Sequence, residues 1–244
     1  EDAGKNLDTS KNATTTANLT IDSYNNIANL SSREDLSVSY QNIMIGFAAG
    51  RQTNSYENLF IGSEAGKTNS AGIRNIYIGS KSGMNSLRNY NIFVGAESGK
   101  ANTTGEYNLF MGYESGFNNI DGNHNSYLGY QSGKNNINGN DNFFMGYRSG
   151  LNNSSGNQNI FLGSETGQLI TTGTDNLFIG HHSGKKSTIT NSENIYLGTF
   201  TGYENDGSNN IFISSNKTTT KHAQKNISEK FIVFNDDIDT PLLY

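Results

Sequence analysis

Tyr113, Tyr130 and Tyr147 stand 17 residues apart. A phenol repeated at that interval offers an apolar ring and a hydroxyl at one place on each turn of a repeating chain. Such a column suits sugar rings, so these three are the candidate carbohydrate-binding residues. The simpler alternative is that the rings stack on one another and stiffen the chain. Other groups able to do chemistry are scattered. The histidines His124, His181, His182 and His222 recur in no column and sit in no nucleophile motif. Asp121, Asp141 and Asp206 stand singly in Asn- and Gly-rich stretches, where an Asp serves turns by bonding its own backbone. Asp236, Asp237 and Asp239 cluster beside Thr240-Pro241 and read as a turn before they read as an ion site. No Gly-Gly-x-Gly-x-Asp calcium motif occurs, and Thr103-Thr104 and Thr171-Thr172 are isolated pairs rather than a regular array. The expectation is therefore no catalytic residue, no metal site, no cofactor and no enzymatic activity.

The elements that carry those tyrosines are set by a repeat. Asn42, Asn58, Asn75, Asn91, Asn108, Asn125, Asn142, Asn159, Asn176, Asn194 and Asn210 recur every 16 to 18 residues. Four positions after each of the first ten comes a glycine, Gly46 through Gly198, and four further on a second, Gly50 through Gly202. A third often precedes the asparagine by three, as in Gly105, Gly122 and Gly139. Between Asn and the first Gly sit three mostly apolar residues, too few for a helix and rich in β-branched and aromatic types. Each triplet predicts a strand, with a second short strand such as Ser63-Glu64-Ala65 after the corner and a polar loop to return the chain. The fold class is all-β: an elongated β-solenoid of about eleven coils. At a strand spacing of about 4.8 Å that is a rod on the order of 50 Å long.

Side chains alternate along a strand, so the middle residue of each triplet faces away from its two neighbours. The middle column is aromatic and the flanking columns are Ile, Leu, Val or Met, both nearly throughout. A thin coil has one interior, so one apolar column is left outside. Exposed over the whole stack, such a stripe would be on the order of 1,000 Å², more than soluble monomers leave uncovered. Self-association follows as an expectation, and a homotrimer is the form chosen. The residue seven after Asn is always small and is expected inside. The one before it, as in Glu64, Lys81 and Glu97, is long and polar and is expected outside. The asparagines are expected to form an amide ladder.

Composition agrees with small repeated units. Glycine numbers 28 and proline 1, hydrophobic residues are 33%, and 13 Phe with 13 Tyr exceed what an unfolded polar chain carries. A formal charge of −5 gives no reason to expect nucleic acid as a partner, and no apolar run approaches the length of a membrane helix. Cysteine is absent, so there are no disulfides or thiolate metal sites.

The pattern Asn-x-x-Ile-Gly-x-x-Ala-Gly, clearest at Asn58-Leu-Phe-Ile-Gly-Ser-Glu-Ala-Gly66, resembles repeats of phage-type tail-fibre proteins that carry an endosialidase-type chaperone at the C-terminus. It is also similar to the β-roll heads of trimeric autotransporter adhesins, whose coils are shorter and carry small residues where this chain has Phe or Tyr. The resemblance covers residues 42–214. The tail Phe231-Ile-Val-Phe-Asn-Asp-Asp-Ile-Asp-Thr-Pro-Leu-Leu-Tyr244 looks like the segment that closes such repeats ahead of the chaperone. The resemblance implies a homotrimer on a cell or virion surface, extracellular, attached to a glycan or protein of a host or neighbouring cell, without membrane insertion. Residues 1–41 are expected to be an N-terminal cap or junction in which Asn26-Ile27 begins a degenerate coil. Residues 215–244 are expected to be a C-terminal cap leading to a downstream domain. A passive shaft with no ligand of its own is the alternative function.

Overall fold

The computed structural model describes residues 19–21, 27–29, 42–187, 190–214 and 228–234. These form one sheet and no helix. Strand β1 is Leu19–Ile21, β2 Ile27–Asn29 and β3 Ile43–Ile45; three-residue strands such as Leu109–Met111 (β7) follow in every coil, up to β13, Ile211–Ser214, and β14, Phe231–Phe234. From β3 to β14 each strand pairs in parallel and in register with the next, so the twelve make a β-solenoid. At its N-terminal end β3 pairs in parallel with β1, and β2 lies antiparallel on the outer edge of β1. The segment that continues the ladder is thus Leu19–Ile21, and the strand beginning at Ile27 turns back on it rather than opening a coil of its own. Asp236, Asp237, Asp239 and His222 lie outside the described residues.

The middle column of the triplets is the core. From Phe60 and Tyr77 to Tyr196 and Phe212 these rings are 0–2% exposed, and Met44 closes the series at 5%. Successive rings stack with centroids 4.4–5.2 Å apart and planes within 17° of parallel, the spacing the strands impose. Each ring contributes about 1.5–3 kcal/mol by leaving water. Burial pushes the hydroxyls of Tyr77 and Tyr196 well above the usual phenol range. Both are nevertheless bonded: Tyr77 donates to Ser86 at 2.7 Å, and Asn205 donates to Tyr196 at 2.7 Å.

With the aromatics inside, the first and third strand columns are the ones left on the surface. Ile43, Ile92, Ile160 and Ile211 of the first column, and Met111, Met145, Ile179 and Ile213 of the third, are exposed. Phe231 at the start of β14 is exposed as well; the other first- and third-column residues from β3 to β13 are half-buried, and Ser126 is the one polar residue among them.

The second strand does not form. Residues 62–68 are turns in which Glu64 (φ 58°) and Gly66 (φ 57°) are left-handed and Ala65 N–H bonds back to Gly62 O at 3.2 Å. The equivalent of Glu64 is left-handed in every coil from Ala48 to Phe200. The reason is backbone accounting: the alternation aims Glu64 N–H at Phe47 O of the coil before (2.7 Å) and Gly66 N–H at Ser82 O of the coil after (3.0 Å). Coil-to-coil bonding is kept while the chain reverses in fewer residues than an extended strand would need. The small column lies inside as expected, while Glu64, Lys81 and Glu97 are half-buried rather than fully outside: Ala65, Ser82, Ser98 and Ser115 are buried, and Ser98 and Ser115 donate to Phe110 O (3.1 Å) and Tyr127 O (3.0 Å) of the next coil.

Glycine is obligatory at the corner. At Gly112, φ is 140° and an added Cβ would lie 2.3 Å from Gly129 O of the next coil. Four residues on, at Gly116, it would lie 2.4 Å from the Phe110 ring.

The asparagine ladder forms as expected. Asn142, buried, donates its backbone N–H to Asn125 Oδ1 at 3.0 Å and its Nδ2 to Asn125 Oδ1 (3.1 Å) and Gly156 O (2.8 Å). Its own Oδ1 accepts the N–H and Nδ2 of Asn159. Replacing Asn142 with Asp removes both side-chain donors and sets a carboxylate against two oxygens. We expect a loss of about 3 kcal/mol or more at pH 7. Burial raises the folded pKa of that Asp, so the loss shrinks as pH falls toward about 4, where the group is protonated. Urea unfolding at both pH values, with Asn142→Ala as the pH-insensitive reference, measures it.

Candidate ligand-binding surface

Tyr113, Tyr130 and Tyr147 follow the corner glycines Gly112, Gly129 and Gly146, whose fixed backbone repeats one exit direction in consecutive coils. All three rings are exposed, at 45, 41 and 43%. They stack: centroids are 5.4 Å apart at both steps, with planes 18° and 12° from parallel. Neighbouring rings therefore cover one another's faces, and the column presents ring edges and phenol oxygens at coil spacing. The run stops where Ala96 and Ser164 occupy the same position in the flanking coils. Arg148 sits over the Tyr147 ring, 5.0 Å from its centroid.

Beside this column runs a row of charged groups from the left-handed turn position. The carboxylate of Glu114 accepts from Lys134 Nζ and Gln131 Nε2, both at 2.6 Å. Partial burial works to raise its pKa, but the bonds from Lys134 and Gln131 outweigh it and the carboxyl lies below the usual range. The negative charge of Glu114 in turn raises the pKa of Tyr113, which keeps its hydroxyl protonated and able to donate.

A second exposed aromatic column escaped the sequence reading. Tyr90, Tyr107 and His124 occupy the residue just before the strand asparagine, and each is left-handed. Tyr90 stacks on Tyr107 at 5.0 Å and Tyr107 on His124 at 5.2 Å. Arg74 caps one end, donating to Tyr90 Oη at 2.9 Å while paired with Glu57; Asp141 stands at the other, 3.7 Å from His124 Nδ1. The signal was present, because these residues are 17 apart like the first column. It was hidden by the change of type from Tyr to His, and His124 belongs to a column after all.

His181 and His182 stack at 3.6 Å. The exposed His181 is a surface residue, whereas His182 is half-buried and its Nε2 lies 2.6 Å from Glu165 Oε2, which also accepts from Lys185 at 2.5 Å. Burial and the nearby Lys185 charge lower the His182 pKa, more than Glu165 raises it. Burial pushes Glu165 the other way, but its bonds to Lys185 and His182 prevail and hold it low. Asp141 is left-handed, and Asp121 and Asp206 are exposed. Among the described residues no three His, Asp or Glu come together to hold a metal ion. Comparison with protein-family models, with curated proteins and with solved structures finds no match for this chain.

The two pKa shifts carry a pH dependence. A histidine whose folded pKa is lowered loses stability as pH falls through its unfolded value of about 6.5, and a lowered carboxyl does so as pH falls below about 4.5. Thermal unfolding should show a first decline between about pH 7 and 6 and a second below about 4.5. His182→Gln should flatten the first and leave the second; an unchanged first step would refute the assignment.

Proposed function

We propose that this chain is a segment of a trimeric extracellular fibre that attaches to a host or neighbouring cell surface, with Tyr113, Tyr130 and Tyr147 contacting carbohydrate. The observation that carries it is the aliphatic strip of the first and third strand columns. It runs the length of the stack, its side chains ranging from half-buried to about half exposed, and it amounts to roughly 1,000 Å², against the few hundred Å² a monomer usually leaves open and the roughly 800 Å² per partner of a stable interface. Three copies of the chain in parallel, strips toward a common axis, cover it with like residues at every level. The likeness of the Asn-x-x-Ile-Gly-x-x-Ala-Gly repeat to tail-fibre proteins and trimeric adhesins supports three chains over two, and supports surface or virion location. In this reading the protein is not an enzyme and needs no cofactor. It binds neither nucleic acid nor membrane interior.

The tyrosine column has a second reading, favoured by the ring-on-ring stacking: the rings stiffen the rod and the segment is a passive shaft. In the binding reading the sugar meets the row of hydroxyls and edges rather than open ring faces.

Light scattering should give three times the chain mass of 26.6 kDa, and Met111→Lys with Met145→Lys should shift the protein to monomer. A monomeric wild type would sink the trimer. Replacing Tyr113, Tyr130 and Tyr147 together with Ser should abolish binding to cells or a glycan array with the trimer mass retained. Unchanged binding would favour the passive shaft or a site elsewhere.

A further inference from the structure

On the loop side of the solenoid a further side-chain ladder runs outside the buried ones. Asn118 Nδ2 donates to Asn135 Oδ1, and Asn135 Nδ2 to Asn152 Oδ1, each at 2.9 Å. The backbone bonds of these coils show which residues share the column: Asn85 N–H to Lys100 O, Ala101 N–H to Phe117 O, Asn118 N–H to Lys134 O and Asn135 N–H to Leu151 O. The column therefore reads Asn85, Ala101, Asn118, Asn135, Asn152. One rung has no amide. The ladder's polarity is uniform, donors toward the C-terminal coil, so among the described residues Asn118 Oδ1 has no donor at the level of Ala101, and on the other side the Asn85 amide has no bond to them.

A surface groove opens at this gap. Ala101, Asn118 and Asn135 line one side and Ile120, Ile137 and Ser154 the other. Ile120 and Ile137 are each 43% exposed. The groove joins an incomplete amide ladder to two aliphatic side chains and holds no charged group among its lining residues.

We propose that this groove binds the acetamido group of an N-acetylhexosamine. A secondary amide is the group that completes the column, its N–H donating to Asn118 Oδ1 and its carbonyl accepting from the Asn85 side. The acetyl methyl and the C–H face of the sugar ring then lie against Ile120 and Ile137. Pairing the open amides and burying the methyl both favour binding, and a sugar with a free amine in that place offers a charge and no carbonyl. The site goes beyond the fibre reading: it lies within one chain and is separate from the tyrosine column.

The test titrates the full chain with chitotriose and with its fully de-N-acetylated counterpart, by calorimetry or saturation-transfer NMR. Chitotriose should bind and the de-acetylated trimer bind at least tenfold more weakly. Ala101→Asn fills the gap and supplies the missing rung, so it should raise the unfolding temperature while abolishing binding. Ile137→Thr should weaken binding at least tenfold without that gain in stability. The Tyr113, Tyr130 and Tyr147 to Ser variant should bind chitotriose as the wild type does, and so should a monomeric variant. The proposal is overturned if the wild type binds neither trimer or both equally. It is also overturned if either groove variant binds like the wild type, or if the tyrosine variant loses binding.

Discussion

Everything in this fold depends on each coil being the hydrogen-bond partner of the next. A strand of three residues cannot satisfy its own backbone, and a coil of 16 to 18 residues cannot enclose a core. The asparagine at the head of each triplet resolves both. Its Oδ1 takes the N–H of the next coil's asparagine, and its Nδ2 ties the returning loop, as from Asn108 to Gly122 O at 2.8 Å. One side chain thus sets coil spacing and coil closure together. The corner glycines then follow, because coils at that spacing bring Gly112 so near Gly129 that no Cβ fits between.

The same spacing decides what lies inside. Flat rings stacked at 4.4–5.2 Å fill a narrow, continuous interior without gaps, whereas branched aliphatic side chains at the same spacing would not interleave face to face. Aliphatic side chains are left to the outer face. The surface is left with Ile, Leu and Met side chains, and the rings are out of reach of any partner.

The solenoid also turns single substitutions into surface features. A residue change in one coil is read against identical neighbours on both sides, so a tyrosine run of three makes a ladder and one alanine in an asparagine column makes a gap. The left-handed positions matter here: they hold Tyr107 and His124 on the outside and Glu114 half-buried at fixed angles, at roughly 1 kcal/mol for each such backbone, and the N–H of each bonds the coil before, as Glu114 N–H does to Ala96 O at 3.0 Å.

The repeat, the strand triplets, the small inward column and the amide ladder were legible in the sequence, since each follows from one residue type at one interval and from local geometry. A triplet of alternating side chains must put its middle residue opposite its neighbours. Which face would be the interior was not legible, because both are apolar and only the cross-section of the closed coil selects rings over branched chains. Nor was the turn at Ser63-Glu64-Ala65, where coil-to-coil bonding overrides the extended conformation that three residues after a corner suggest. The buried row Asn102, Asn119 and Asn136 had its signal in the Asn-x-x-Gly spacing, but its bonds run between coils and exist only once they are stacked. For the same reason the gap at Ala101 is invisible in the chain: an alanine among loop residues means nothing until the coils above and below set an amide on either side of it.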